Sequence, residues 1–200
     1  MLKYSSKWLQ FQSLWDLEAE AVYARLGDSL GSWQQMLQEI RKTRSTFDNA
    51  ESEHSFGVAV IRYEQVQSKV NAKYDTWQRD ILGRFGVKLG YAMKETHATI
   101  MKGRKDLEQQ SIEGSSTAQA VTFITFVQDL EKRVKVWAPQ IDLFITGQKQ
   151  LERQRYQFPA DWLYSDQIDG EWSSFRDILQ RKKASIQEQL CKLTSLDTDQ

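Results

Sequence analysis

The residues of this sequence that could bind a metal or transfer a proton are few and badly spaced for either task. His54 and His97 are its two histidines, and they lie too far apart to form the His-x-x-x-His pair with which one helix holds zinc. Glu51 and His54 have a Glu-x-x-His spacing, but a di-metal site in a helical bundle needs two such motifs and two further glutamates. The sequence therefore predicts no catalytic and no metal-binding residue.

Two further reactive side chains have structural interpretations. His97 falls on an apolar stripe between Met93 and Ile100, which is typical of a histidine in or beside a core. Cys191 is the single cysteine, so no internal disulfide can form, and no histidine lies near it in the sequence to activate the thiol. We interpret Cys191 as a small buried or partly exposed thiol.

Three glycines, Gly83, Gly86 and Gly90, are the nearest approach to a nucleotide-binding loop. A Walker loop requires Gly, four residues and then Gly-Lys-Ser/Thr, so that backbone amides surround the phosphates. The glycine run has neither that spacing nor the terminal hydroxyl, and it lies within helical periodicity. We therefore expect no cofactor in this segment.

The overall charge excludes some partners. Basic and acidic side chains balance, at 27 each, so there is no general attraction to nucleic acid or to an anionic membrane. Two basic clusters, Lys102–Lys105 and Arg181–Lys183, have two interpretations: a solvated helix face, or a docking patch for an acidic partner. The N-terminus lacks a signal-peptide pattern, and no stretch approaches the roughly 18 apolar residues of a membrane span. We expect a soluble, cytosolic chain.

The elements that position these residues follow from the hydrophobic period. Apolar residues recur at alternating steps of three and four, which predicts amphipathic helices rather than strands. We predict an all-α fold, an elongated helical bundle. A helical hairpin at residues 1–50 would precede a spectrin-like bundle of three long helices at 51–200, with helices at about 62–110, 117–155 and 170–194. The five apolar stripes run through Trp8–Leu26, Leu30–Phe47, Tyr63–Leu107, Ala120–Leu151 and Trp172–Leu193.

Local signals mark the predicted helix ends. Gly27-Asp28 predicts a helix stop followed by a new N-cap. Ser116 with Gln119 three residues later fits a capping box at the start of the fourth helix. Pro139 lies inside that helix and removes a backbone donor, so we expect a kink near Val136 or a broken turn.

The stripes also make predictions for single residues. Val66 continues the stripe of the third helix, so we expect it to be buried. Gln148 interrupts the stripe of the fourth helix. Asp169-Gly170-Glu171 predicts the start of the fifth helix, because acidic residues favour the positive end of a helix.

Two connections are more than simple turns. Phe56–Ile61 is short and β-favouring, which predicts an extended segment lying against the bundle, with the first turn of the next helix as the alternative. Tyr156–Tyr164 has four aromatic residues around Pro159. A loop this apolar must be packed, so we predict that it closes one end of the bundle.

Several sequence strings are informative beyond their periodicity. They are Ser13-Leu14-Trp15-Asp16, Val66-Gln67-Ser68-Lys69-Val70-Asn71, Ala120-Val121-Thr122-Phe123-Ile124-Thr125-Phe126, Arg155-Tyr156-Gln157-Phe158-Pro159, Trp162-Leu163-Tyr164 and Gly170-Glu171-Trp172. Together they resemble the heavy chain of cytoplasmic dynein, and the resemblance runs in order from about Trp8 to Leu193.

This resemblance implies a segment of a large minus-end-directed microtubule motor. It corresponds to the C-terminal part of the tail, the neck that precedes the linker and the motor ring. ATP and Mg²⁺ belong to that ring, and none of the ring's nucleotide motifs occurs here. The implied partners are the rest of the heavy chain and, through the wider tail, accessory chains and dynactin with its adaptors. The implied location is cytoplasmic and cytoskeleton-associated, and microtubule contact is not expected from this segment.

The predicted function is therefore that of a non-catalytic strut between the cargo-binding tail and the motor. Long helices with a buried aromatic seam resist bending, because bending exposes apolar area at a cost of about 25 cal/mol per Å². Pro139 and the three glycines are the expected points of compliance. The alternative is a free-standing spectrin-like interaction module, which an exposed apolar patch would favour.

Overall fold

A computed structural model describes residues 9, 16, 18–48, 52–111 and 116–196, with the side chains of 45–48, 54, 190 and 192–196 left aside. Five helices and one β-hairpin form this part of the chain, which confirms the all-α bundle. In chain order the elements are α1 (Ala19–Leu26), α2 (Leu30–Asp48), β1 (Glu53–Phe56), β2 (Ala59–Arg62), α3 (Glu64–Gln109), α4 (Thr117–Arg153) and α5 (Ser165–Leu196).

The contacts group the residues into two units. The first contains residues up to Lys88 together with Gln154–Tyr156, and the second contains Leu89–Arg153 and the residues from Gln157 onward. Helix α3 contributes to both. The predicted division into a helical hairpin at 1–50 and a bundle at 51–200 is not tested by this grouping and stays a prediction.

The second unit is a three-helix bundle whose consecutive helices run antiparallel. Gln148 of α4 meets Ser165 at the start of α5, while Glu131 pairs with Lys183 further along α5. On α3, Gly103 lies against Phe175 of α5 and Leu130 of α4. Helices α3, α4 and α5 therefore each contribute one apolar face to the core of this unit.

The seam of α3 follows the predicted spacing over most of the helix. Its fully buried residues are Ile81, Phe85, Leu89, Met93, Ile100 and Leu107. Each step is four or seven residues, which keeps the stripe on one face. The prediction for Val66 is wrong, because its side chain is exposed at the N-terminal end of the helix, where Tyr63 and Val70 are buried instead.

Helix α1 ends as the sequence predicts. Gly27 has a φ of 53°, a left-handed conformation that glycine adopts without strain, and its N–H donates to the Tyr23 carbonyl at 3.0 Å. The predicted N-cap at Asp28 is wrong. Ser29 precedes α2, and its Oγ accepts from the Ser32 N–H at 3.4 Å. The carboxylate of Asp28 is instead engaged by an amine from another helix.

The start of α4 confirms the predicted capping box. The Ser116 N–H donates to Gln119 Oε1 at 3.0 Å, and the Gln119 N–H donates back to Ser116 Oγ at 3.4 Å. The prediction of a broken turn at Pro139 is wrong, because α4 continues through this residue to Arg153. Pro139 is exposed, so its ring costs the core no space.

The connection before α3 is a β-hairpin. Strands β1 and β2 pair antiparallel, with Glu53 opposite Arg62 and Phe56 opposite Ala59. This confirms an extended segment and excludes a helical turn. The expectation that it packs on the bundle is wrong for β2, since all four of its residues are exposed and Val58 at the tip is fully exposed. Strand β2 contains the β-branched residues Val60 and Ile61, which favour an extended backbone, and Gly57 permits the turn before it with a φ of 61°.

Helix α5 begins at Ser165, ahead of the expected Asp169-Gly170-Glu171 start. Those residues lie in its second turn, where Gly170 is exposed. The pattern missed the earlier start because the cap comes from another helix. The N–H of Ser165 bonds to the side chain of Gln148 on α4.

The tryptophans that the structure describes in the predicted seams are all buried: Trp33, Trp77, Trp137 and Trp172. Their burial agrees with the apolar stripes on which these four residues lie. The predicted seam residues Trp8, Phe11 and Trp15 lie outside the described residues, as do the side chains of Phe47 and Leu193 and the Glu51 of the Glu-x-x-His spacing.

Candidate functional site

The side chains with chemical potential do not gather into one place. Among the described residues no three of His, Cys, Asp and Glu lie close enough to hold a metal ion. His97 is partly exposed beside the core, and the buried residue at that turn is Thr96. Cys191 is exposed on α5. The side chain of His54 is not among the described ones.

The three glycines all lie inside α3, so no loop surrounds a phosphate there. Two of them have a packing role that the sequence analysis missed. A Cβ atom on Gly86 would lie 2.3 Å from Cζ of Tyr156, whereas a Cβ on Gly83 would meet open space. Since real Cβ atoms keep well beyond 3 Å from such neighbours, Gly86 leaves the room in which the Tyr156 ring sits. Burial of that ring raises the pKa of the Tyr156 hydroxyl.

The corresponding contact in the second unit joins Gly90 to Trp162. A Cβ atom on Gly90 would lie 2.7 Å from Cζ3 of the indole, and Trp162 is 8% exposed. The indole therefore lies flush against the backbone of α3. Only glycine permits this approach without displacing the ring.

A buried amide holds the same indole from α4. Oε1 of Gln148 accepts from Trp162 Nε1–H at 3.4 Å and from the Ser165 N–H at 2.8 Å. Its Nε2 donates to Oε1 of Glu152 at 2.8 Å. Gln148 interrupts the apolar stripe because its side-chain oxygen caps α5 and accepts from the indole N–H, and buried polar groups are nearly always hydrogen-bonded. We call Gly90, Gln148, Trp162 and Ser165 the Trp162 joint.

Aromatic and charged side chains surround the Trp162 joint. The ring of Phe158 lies 4.9 Å from the Trp162 ring and 6.0 Å from that of Tyr164, centroid to centroid. Asp161 forms an ion pair with Lys94 of α3, and the hydrogen bond from that amine lowers the carboxyl pKa of Asp161. The expectation of a packed aromatic connection is confirmed for Phe158 and Trp162, whereas Tyr164 is exposed.

The first unit has its own aromatic cluster. The rings of Tyr23 and Trp33 stack at 5.9 Å, and Tyr23 meets Trp77 edge-on at 6.1 Å. The Arg84 guanidinium lies 3.9 Å from the centroid of the Tyr23 ring. Lys88 lies 5.9 Å from that of Trp33.

Carboxylates compensate both of these cations. Glu20 Oε1 is 3.2 Å from Arg84 Nη2, and Asp28 Oδ1 is 2.6 Å from Lys88 Nζ. The hydrogen bond from Lys88 lowers the carboxyl pKa of Asp28. These cations hold α3 to α1 and α2.

A second aromatic cluster fixes α4 to α5. Trp137 meets Trp172 edge-on at 6.3 Å and Phe175 at 5.7 Å. Close by, Nε of Arg104 lies 2.5 Å from Oε1 of Glu171, and this hydrogen bond raises the pKa of Arg104. Such contacts position helices, and none of them places a nucleophile beside a base.

The chain is similar in sequence to several cytoplasmic dynein heavy chains. The chain is 58% identical, over 93% of its length, to the protein named "Dynein heavy chain, cytoplasmic" of Fusarium vanettenii. It is 48% identical over 96% of its length to that of Dictyostelium discoideum, and 46% identical over 95% to that of Drosophila melanogaster. The chain belongs to the cytoplasmic dynein heavy chain family.

This membership confirms the resemblance seen in the sequence strings. The chain spans about 4% of the length of these relatives. No protein-family profile matches it. None of the described helices is both long enough and apolar enough to cross a lipid bilayer.

Proposed function

We propose that the chain is a non-catalytic strut in the tail or neck of a cytoplasmic dynein heavy chain, joining the cargo-binding part to the ATP-driven microtubule motor. Its location would be that of the relatives whose name includes the word cytoplasmic. Its partners would be the rest of the heavy chain and, through the wider tail, accessory chains and dynactin with its adaptors. Nucleotide and microtubule binding would belong to other parts of the parent.

The observation that supports this proposal is the way buried groups lock the helices. At the Trp162 joint one indole is held by the backbone of α3 at Gly90 and by an amide of α4 at Gln148. Displacing these helices would break the hydrogen bonds that Gln148 accepts from the indole N–H and from the N–H of Ser165, at about 1–3 kcal/mol for each buried group. An element stabilised in this way transmits a displacement instead of absorbing it.

A test of the strut uses the full-length heavy chain with Gln148→Leu, which removes the joint's hydrogen bonds. The expected result is unchanged microtubule-stimulated ATPase activity with a lower stall force in single-molecule trapping. Gln187→Leu, at an exposed position of α5, is the matched control and should leave both measurements unchanged. An unchanged stall force in the joint variant would contradict the proposal, and so would loss of ATPase activity in the control.

The family placement can be tested separately in cell extract. An antibody against this chain should detect a polypeptide far above 23.4 kDa that sediments with a multi-subunit complex and leaves microtubules on addition of ATP. A band near that mass would favour a free-standing interaction module instead.

A further inference from the structure

The second unit has an open groove of about 580 Å³ that the proposed strut function does not use. Both walls are helical, and each follows one face through positions i, i+3, i+4 and i+7. The lining residues are Gln128, Glu131, Lys132, Val134 and Lys135 from α4 and Arg176, Leu179, Gln180 and Lys183 from α5. The groove extends over about two turns of each helix, or about 10 Å.

The groove concentrates positive charge in a chain that has none overall. Four of the lining residues are basic and one, Glu131, is acidic. The whole chain, in contrast, balances 27 basic with 27 acidic side chains. This local excess is a basis for recognising an acidic partner.

Two of the four cations are compensated and two are not. Lys183 pairs with Glu131, and Lys132 Nζ lies 3.0 Å from Oδ1 of Asp129. Within the described residues Lys135 and Arg176 form no ion pair. Both are exposed, and the Arg176 guanidinium lies 5.9 Å from the centroid of the Trp172 ring.

Asp177 follows Arg176 at the next position of α5 and is exposed. Successive helix positions point about 100° apart, so Asp177 does not share the face of Arg176. The two uncompensated cations therefore stand on opposite walls of one groove.

The groove also has an apolar component. Val134 of α4 is half-buried and Leu179 of α5 is buried, and both line the groove between the basic residues. No strand lies in it, so its walls offer no unpaired backbone edge for an extended peptide. An amphipathic helix fits because it presents apolar residues and acids at a spacing of three and four.

We propose that this groove binds an acidic amphipathic helix from another polypeptide segment, whose carboxylates pair with Lys135 and Arg176 and whose apolar residues contact Val134 and Leu179. The two basic clusters of the sequence thus differ in role. Lys183 belongs to the groove, whereas Lys102 and Lys105 lie on exposed faces of α3 outside it.

The test uses the 200-residue chain and a fluorescein-labelled synthetic peptide of about 14 residues, four helical turns, with glutamates flanking a leucine stripe. A scrambled peptide of the same composition is the peptide control. Fluorescence anisotropy should show binding of the patterned peptide that weakens as salt rises, because the ion pairs are screened. Equal binding of the scrambled peptide would overturn the proposal, since it would mean diffuse attraction to any polyanion.

Charge-reversal variants locate the binding. The double variant Lys135→Glu with Arg176→Glu should weaken binding by about tenfold or more, because it replaces attraction with repulsion. The matched variant Lys102→Glu with Lys105→Glu makes the same change of net charge outside the groove and should bind like the original chain. Equal weakening in both variants, or no binding by the original chain, would contradict the groove as the site.

A milder variant guards against a disturbed fold. Lys135→Gln with Arg176→Gln removes both charges without introducing repulsion, and thermal unfolding followed by circular dichroism checks that the chain remains helical. Weaker binding with an unchanged melting temperature supports the proposal. Unchanged binding in this variant would overturn the assignment of the two cations as recognition residues.

Discussion

Gly90 of α3 and Trp162, in the connection between α4 and α5, approach so closely that a Cβ atom on the glycine would lie 2.7 Å from the indole. The indole is buried and hydrogen-bonded to Gln148, so it cannot turn away as a surface side chain could. The helix backbone and the ring therefore fix each other. A glycine that looks like a weak point of a long helix is in fact a contact surface.

Substitution of the glycines should separate packing from flexibility. Gly90→Ala should lower the free energy of unfolding by up to about 2 kcal/mol, because overpacking costs about 1–3 kcal/mol and the gain in helix propensity offsets about 1 kcal/mol. Gly83→Ala is the matched control on the same helix, where the new methyl group meets open space. It should raise the free energy of unfolding by about 0.5–1 kcal/mol.

Urea unfolding followed by circular dichroism measures both variants. If Gly90→Ala is as stable as Gly83→Ala, the indole has room to move and the close approach is not a constraint. If Gly83→Ala reduces stability, that position needs the flexibility of glycine.

Gln148→Leu should reduce stability although it places an apolar residue in a buried seam. The change leaves the N–H groups of Ser165 and Trp162 without their acceptor, at a cost of about 1–3 kcal/mol in total after the apolar gain. Chemical denaturation gives the difference. Gln128→Leu should stay within about 0.5 kcal/mol of the original chain, since Gln128 is exposed. An unchanged or higher stability of Gln148→Leu would show that water replaces the amide as acceptor.

The sequence was sufficient for the helices because their seams repeat over many turns. The stripe of α3 from Ile81 to Leu107 and the capping box at Ser116 are local patterns, and both appear in the structure as predicted. The prediction that Val66 is buried failed because this residue lies near the N-terminal end of α3, where its side chain is exposed.

The Trp162 joint could not be predicted because its partners meet only in three dimensions. Gln148 looked like an interruption of the stripe, yet it caps a helix that starts seventeen residues later. Gly86 and Gly90 looked like flexible points because the aromatic rings that require them come from another part of the sequence. A buried polar residue inside an apolar stripe was the one available signal, and it indicates a partner without naming it.

The pair of Asp161 with Lys94 predicts a dependence of stability on pH. The pair lowers the pKa of the Asp161 carboxyl in the folded chain. Its stabilising contribution is therefore complete above the unfolded pKa of about 3.9 and is lost as the pH falls through the lower folded pKa. Asp161→Asn should lower the melting temperature near pH 6, and the difference from the original chain should vanish by about pH 2–3.

Melting curves of both proteins from pH 2 to 7 measure this difference. Asp142→Asn, an exposed position on α4 that makes no ion pair within the described residues, is the matched control. A difference between Asp161→Asn and the original chain that persists at the lowest pH would mean that the carboxyl acts through packing rather than charge.

Pro139 provides the sharpest test of compliance in α4. The helix continues through this residue although proline lacks the backbone donor and crowds the carbonyl four positions earlier. Pro139→Ala should therefore raise the free energy of unfolding by about 1–3 kcal/mol, with Val136→Ala as an exposed control on the same helix that changes it by less than about 0.5. A loss of stability in Pro139→Ala would mean instead that a bend at this position helps to bury Trp137 and Ile141 on either side of it. If the stiffer helix also leaves the stall force and stepping of the full-length heavy chain unchanged, Pro139 is not a point of compliance in the proposed strut.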